Sequence, residues 1–261
     1  MRVRKFVAVL ASVLCVITAQ SSAMSGAAPS RDAQAPAKDP VIVIEGTGSM
    51  QPLLPILDLN LLVDRLENDG YRAFVFRLPG SGLGDIGDTA TEFRPFVNQV
   101  LRQTGASKVD LIGHSQGGLI GRYYIKFLGG ASKVDSMIGL AAPHYGSQIA
   151  NLAFLYGVLD CLGFSFCQQS VTGSQFLRDL NGDDDTFGNV AYTNFATVLD
   201  EIVVPYTNSF QRSAGATNVT IQDQCPLRVV EHLLLATDGT TYSGIQDALA
   251  KRPIRLNCLA L

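Results

Sequence analysis

Residues 109–128 read VDLIGHSQGGLIGRYYIKFL. Val109-Asp110-Leu111-Ile112 is a short run of the kind carried by a strand buried on both faces. Residues 119–128 continue with helical spacing and stop at Gly129-Gly130. Between them lies Gly113-His114-Ser115-Gln116-Gly117, a G-x-S-x-G match in the strand–turn–helix context that a nucleophile elbow requires. A serine on so sharp a turn has strained backbone, so its flanks must be glycine to avoid clashes. Gly118 adds room. The following helix points its N-terminus at Ser115, where its dipole favours developing negative charge. The competing reading is a chance match in a chain with 25 glycines. The flanking strand and helix weigh against it.

Outward from this stretch the alternation repeats. Residues 41–44 (VIVI) form another buried apolar run, followed by Gly46-Thr47-Gly48. Residues 59–68 have helical spacing and stop before Gly70. Residues 71–78 are strand-rich and end at Pro79-Gly80. Residues 88–104 read as a helix with Asp88 as N-cap, closed by Gly105. Residues 134–140 are the fourth strand. Residues 190–196 and 218–222 read as later strands, and 243–251 as a closing helix. Alternation of this kind builds an α/β fold, a mostly parallel central sheet flanked by helices on both faces. Ligands in such sheets bind at the carboxyl ends of the strands. Residues 151–166 are apolar, rich in Leu and Phe, and interrupted by Gly157 and Gly163. They are expected to form a hydrophobic cap or lid, inside an insertion spanning about residues 144–187. A core helix is the alternative.

Composition sets the class. Of 261 residues, 47% are apolar and 16% charged, which suits one globular domain with a full core and excludes disorder. Arg2, Arg4 and Lys5, then an apolar run over residues 6–19, then Ser21-Ser22-Ala23 have the three-part form of a secretory signal. Residues 1–23 are read as that signal, 24–40 as a flexible leader, and 41–261 as the catalytic domain. No later stretch is apolar enough to span a membrane. Removing those three basic residues takes the 20 basic residues down to 17 against 23 acidic ones. The acidic balance excludes nucleic acid as a partner. Cys15 leaves with the signal. Cys161, Cys167, Cys225 and Cys258 remain, an even number suited to two disulfides in a secreted, extracellular chain. Three pairings are possible, and loop-closure proximity favours Cys161–Cys167 and Cys225–Cys258. The spacings do not resemble metal sites, so no metal is expected.

A serine hydroxyl needs a base within reach, and the base needs an orienting acid. The chain has three histidines. His114 adjoins Ser115 and is expected to point away across the elbow. His144 comes too early for a chain order of serine, acid, histidine. His232 remains, in the loop before the last helix. The acid should follow a strand between Ser115 and His232. Asp200 fits, with Glu201 the nearest competitor. Asp183, Asp184 and Asp185 read as a solvated turn, and Asp223 lies too near His232 in sequence. The oxyanion needs backbone N–H donors. Gln116, after the nucleophile, and Thr47, after the first strand, are the candidates, with the Thr47 hydroxyl as a possible third donor. The G-x-G-x-x-G match over residues 82–87 is set aside as a glycine-rich loop without the acid a dinucleotide site needs. Asn218-Val219-Thr220 matches a glycosylation sequon but falls in an expected strand.

Five segments carry a family resemblance: residues 41–49 (VIVIEGTGS), 115–119 (SQGGL), 168–177 (QQSVTGSQFL), 193–205 (TNFATVLDEIVVP) and 225–232 (CPLRVVEH). The chain resembles the class 2 lipases of the α/β-hydrolase superfamily, and within them the lipase B type. The resemblance implies an α/β-hydrolase fold and the triad Ser115, Asp200 and His232. It implies Thr47 and Gln116 as oxyanion donors and a Cys225–Cys258 bridge. It implies hydrolysis of carboxylic esters, often acylglycerols, without a cofactor. Three departures stand out. Glu45-Gly46 replaces His-Gly or Pro-Gly, so the Glu45 carboxylate must be turned away, paired or protonated. Gly113-His114 replaces Thr-Trp before the serine. His144 replaces an acidic residue near the site mouth. The apolar residues 151–166 and Leu233-Leu234-Leu235 beside His232 favour a triacylglycerol lipase, expected to be a monomer working on ester or lipid substrate at a lipid–water interface. A cutinase-like or polyester-degrading esterase is the alternative. A non-catalytic binding protein on the same fold is the rival from another class.

Overall fold

The computed structural model describes residues 38–47, 59–148 and 160–261. The expected signal, most of the expected leader and residues 151–159 of the expected cap lie outside the described residues. The chain packs onto the domain already at Lys38, whose ammonium donates to the Asp69 carbonyl at 2.6 Å.

Six parallel strands form one sheet: β1 (Val41–Ile44), β2 (Ala73–Phe76), β3 (Val109–His114), β4 (Val134–Leu140), β5 (Ala191–Ala196) and β6 (Ala216–Thr220). Their order is β2-β1-β3-β4-β5-β6, so the crossover from β1 to β2 runs one way and all later ones the other. Alternation along β1 builds both cores at once. Val41 and Val43 join Ile112, Ile138 and Leu140 under helices α1 (Asn60–Asn68) and α7 (Gly239–Leu249), against Leu62, Leu66, Ile245 and Leu249. Ile42 and Ile44 join Leu111 and Met137 on the other face, against α2 (Ile86–Thr104) and α3 (Gln116–Phe127). Helix α2 buries Ile86, Ala90, Phe93, Val97 and Val100, a single stripe at helical spacing. Three shorter helices complete the described set: α4 (Ser165–Gln169), α5 (Gln175–Asn181) and α6 (Ile221–Gln224).

Several boundaries differ from the sequence expectation. Helix α2 starts at Ile86, capped by Asp85, which accepts from the Asp88 N–H at 3.0 Å. Asp88 is therefore inside the first turn and is not the cap. Helix α3 begins at Gln116 because Gly117 and Gly118, poor helix formers alone, are held by packing. Strand β6 begins at Ala216 and yields to α6 at Ile221. As an edge strand with exposed Thr217 and Asn218 it carries no full apolar pattern. Helix α7 begins four residues early, at Gly239, under an Asp238 cap that accepts from Thr241 N–H at 2.8 Å. The two disulfides pair Cys161 with Cys167 and Cys225 with Cys258, at Cα separations of 5.6 and 5.3 Å. No helix among the described residues is long and apolar enough to cross a membrane.

Candidate active site

Ser115 sits between the end of β3 and the start of α3 with φ 52° and ψ −124°. This is backbone that a non-glycine residue adopts only under constraint. The constraint is visible at its flanks. A Cβ on Gly113 would lie 2.5 Å from the Gly117 carbonyl carbon, and one on Gly117 only 2.4 Å from the Ile44 carbonyl oxygen. The elbow can press against β1 only because both positions are glycine. Ser115 N–H donates to the Leu140 carbonyl at 2.8 Å, tying the turn to β4.

His232 is almost fully buried, and its Nδ1 lies 3.0 Å from each carboxylate oxygen of Asp200. Asp200 is itself fixed. Its Oδ1 accepts the backbone N–H groups of Ile202 at 3.0 Å and Val203 at 2.7 Å. A carboxylate accepts from Nδ1–H, which leaves Nε2 as the free basic nitrogen. Glu201, the competing acid, instead accepts the His232 backbone N–H at 3.3 Å. Ser115 and His232 line one small recess of about 30 Å³ with Gly46, Thr47, Leu59, His114 and Leu233. The structure thus brings Ser115, His232, Asp200 and Thr47 to the carboxyl edge of the sheet. Gln116 opens α3, where the first backbone N–H groups have no intrahelical acceptor. The Thr47 hydroxyl donates to Gln116 Oε1 at 2.7 Å, which joins the two candidate oxyanion residues. Gly82, from the glycine-rich loop set aside on sequence, lets that loop close over Gln116. A Cβ there would lie 2.5 Å from Gln116 Oε1.

A second cavity, of about 140 Å³ and almost wholly apolar in its lining, opens on the other side of Ser115. Its walls include Pro143, Ser147, Phe166, Ser170, Ile202 and Val203. Sequence reasoning missed most of these. Ile202 and Val203 follow Asp200 directly and could have been inferred from that position. Ser147 and Ser170 meet only through the pairing of residues 147 and 171, which leaves no local signal. Phe166 does come from the expected cap segment, and Cys167 directly follows it. Of the leucines beside His232, Leu233 borders the recess, Leu234 faces outward and Leu235 is fully buried core.

Three expectations are corrected. His114 does not point away from the site. Its Nε2 lies 2.9 Å from the His232 carbonyl, and the two rings pack at 5.1 Å. Burial, with His232 adding to it, lowers the His114 pKa to about 4. His144 is not at the mouth. It is buried, with Nδ1 3.2 Å from an Arg122 N–H and Nε2 2.9 Å from Asn194 Oδ1. Burial and the Arg122 charge lower its pKa to about 3. Asp185 is not solvated. It is buried and accepts from Tyr145 OH at 2.7 Å, Arg212 N–H at 2.6 Å and Ser213 N–H at 3.0 Å. Burial alone would raise its pKa, but these donors hold it below the usual carboxylate range. Glu45 resolves its own difficulty. Its buried carboxylate is paired with Arg77 at 2.6 Å and also accepts the Leu78 N–H at 3.3 Å. Among the described residues no group of three His, Cys, Asp or Glu could hold a metal.

The family described as Lipase (class 2) matches residues 87–238. A triacylglycerol lipase of Burkholderia plantarii is 32% identical over 238 residues, covering 87% of this chain and 64% of the relative. A triacylglycerol lipase of Pseudarthrobacter phenanthrenivorans is 33% identical over 229 residues, covering 84% and 69%. This chain therefore spans about two thirds of their length. The crystal structure of Aspergillus fumigatus lipase B superposes with a TM-score of 0.67 at 19% identity, covering 82% of this chain and 53% of that one. The sheet order, the strained elbow and these matches lead to one statement of kinship: the chain belongs to the class 2 lipase family, on an α/β-hydrolase fold.

Proposed function

We propose that this protein is a secreted serine carboxylic-ester hydrolase, a triacylglycerol lipase working through an acyl-enzyme. The observation that carries the reading is the strained Ser115 sharing a recess with His232, whose Nδ1 is held 3.0 Å from Asp200. In this reading His232 Nε2 takes the Ser115 proton as Oγ attacks the ester carbonyl. Asp200 holds the tautomer and stabilises the imidazolium. The Thr47 and Gln116 backbone N–H groups receive the oxyanion, and the dipole of α3 supports them. His232 then protonates the leaving alcohol, and water repeats the sequence to free the acid. No cofactor is needed. The apolar cavity beside Ser115 takes the acyl chain, and the chain works as a monomer at a lipid–water interface. The export signal read in residues 1–23 and the two disulfides support secretion.

Ser115→Ala should abolish hydrolysis of a chromogenic ester and reaction with a phosphonate probe, with an unchanged circular dichroism spectrum. Residual hydrolysis at the wild-type rate would refute the assignment. Emulsified long-chain triacylglycerol separates the lipase from a short-chain or polyester esterase. Turnover of short esters alone would favour the second.

A further inference from the structure

His114 is a buried titratable group that the mechanism above does not use. It ends β3, one residue before the nucleophile. A carbonyl oxygen only accepts, so the 2.9 Å contact with the His232 carbonyl requires a proton on His114 Nε2. The ring is neutral near pH 7, so Nδ1 is left bare. That nitrogen faces the loop after β1. A Cβ built on Gly46 would come within 3.0 Å of His114 Nδ1 and 2.9 Å of Ser115 Cβ. One imidazole therefore touches the loop that carries His232 and the loop that carries Thr47. It also borders the recess that Ser115 and His232 share. The charged or titratable groups facing it are His232 and, behind that ring, Asp200. Glu45, just past the end of β1, is turned away into its pair with Arg77.

From this geometry we propose that His114 is a positioning residue, a rigid strut that holds the base loop and the oxyanion loop at fixed distances from Ser115. The proposal rests on the reading of His232 as the base. Asp200 grips one end of His232 through its ring, and His114 grips the other through its main chain. With both held, Nε2 of the base has little freedom to drift. Replacing the donor while keeping a flat ring should let the His232 loop move away from Asp200 and Ser115. Misplacement on the scale of 1 Å is enough to lower turnover strongly.

The test compares H114F, which keeps a ring and loses the donor, with H114Q, whose amide N–H can reach the same carbonyl. Steady-state rates on a soluble short-chain ester are followed across the acid limb of the pH profile. In H114F, kcat should fall roughly 10- to 100-fold with little change in KM. The acid limb of its kcat/KM profile, which reports the base of the free enzyme, should move to lower pH as contact with Asp200 loosens. H114Q should recover most of the turnover and the wild-type limb. A folded H114F with wild-type kcat and pH profile would overturn the proposal, as would an H114Q no better than H114F. Imidazole NMR of the isotope-labelled wild-type protein decides the matter even if both variants misfold. A neutral Nε2–H tautomer of His114 at neutral pH supports the strut, and the Nδ1–H tautomer or an imidazolium sinks it. A wild-type protein that ignores a phosphonate probe would refute the hydrolase reading itself, whatever tautomer His114 shows.

Discussion

Ser115, His232 and Asp200 come from three loops, and each is held by different means. Ser115 is held, against its backbone strain, by its N–H bond to the Leu140 carbonyl and by the close packing that Gly113 and Gly117 allow. Asp200 is held by two backbone N–H donors, and His232 by Asp200 at one end and His114 at the other. Asp200→Asn keeps the shape of that contact but presents an amide that favours the wrong imidazole tautomer. It should lower kcat by about 10⁴-fold with KM little changed, as read by steady-state ester hydrolysis. A loss under about tenfold would point to Glu201 as the working acid. The three residues were legible because the elbow motif names one, a count of histidines leaves one, and chain order leaves one. The partners of His114, His144 and Asp185 were not legible. Their contacts span 118, 50 and 40 residues respectively, and no local pattern encodes such distances.

Elements were readable where apolar spacing was strong and obscured where something else fixed the chain. Strands β1, β3 and β4 are buried nearly throughout and stand out as continuous runs. Helix α3 hid its first turn behind Gly117 and Gly118. Helix α7 hid its first turn behind Gly239, where a Cβ would lie 2.4 Å from the Leu261 carbonyl oxygen. The Cys225–Cys258 bridge ties the loop leading to His232 to the end of the chain, across a separation of 33 residues. Closing a loop of that length restricts the unfolded chain by about 4 kcal/mol. Cys258→Ser should therefore lower the thermal midpoint more than Cys161→Ser, whose bridge spans only 6 residues and constrains about 2 kcal/mol. Calorimetry of the two variants checks the order. Equal losses would mean that the longer bridge is strained or that the unfolded chain is already compact.

At the scale of the molecule, buried titratable groups give stability a pH dependence. The folded values of His114 and His144, about 4 and about 3, lie below the ordinary 6.5. As pH falls below 6.5 the unfolded chain takes up protons that the native state refuses. Their contribution is complete above 6.5 and drains away toward pH 4 and 3. Asp110 has the opposite sign. Burial raises its carboxyl to about 7 from 3.8, so the native state keeps a proton that the unfolded chain releases. Its contribution is present below 3.8 and lost as pH rises through 7. One Asp110 oxygen also has no hydrogen-bond partner among the described residues. Asp110→Asn should raise the melting temperature at about pH 8 and change it little near pH 4. No gain at alkaline pH would show that the carboxyl is solvated in the native state.

The backbone at Ser115 has one more consequence. A residue bent to φ 52° with a side chain attached stores conformational energy that glycine would not. The protein should melt later without its proposed nucleophile: Ser115→Gly is expected to gain thermal robustness, by about 1 kcal/mol, while losing all turnover. Under the proposed mechanism, evolution of a hardier variant would thus have to find its gains elsewhere, in the cores or the edge strands, because relaxing this single turn would yield an inert protein.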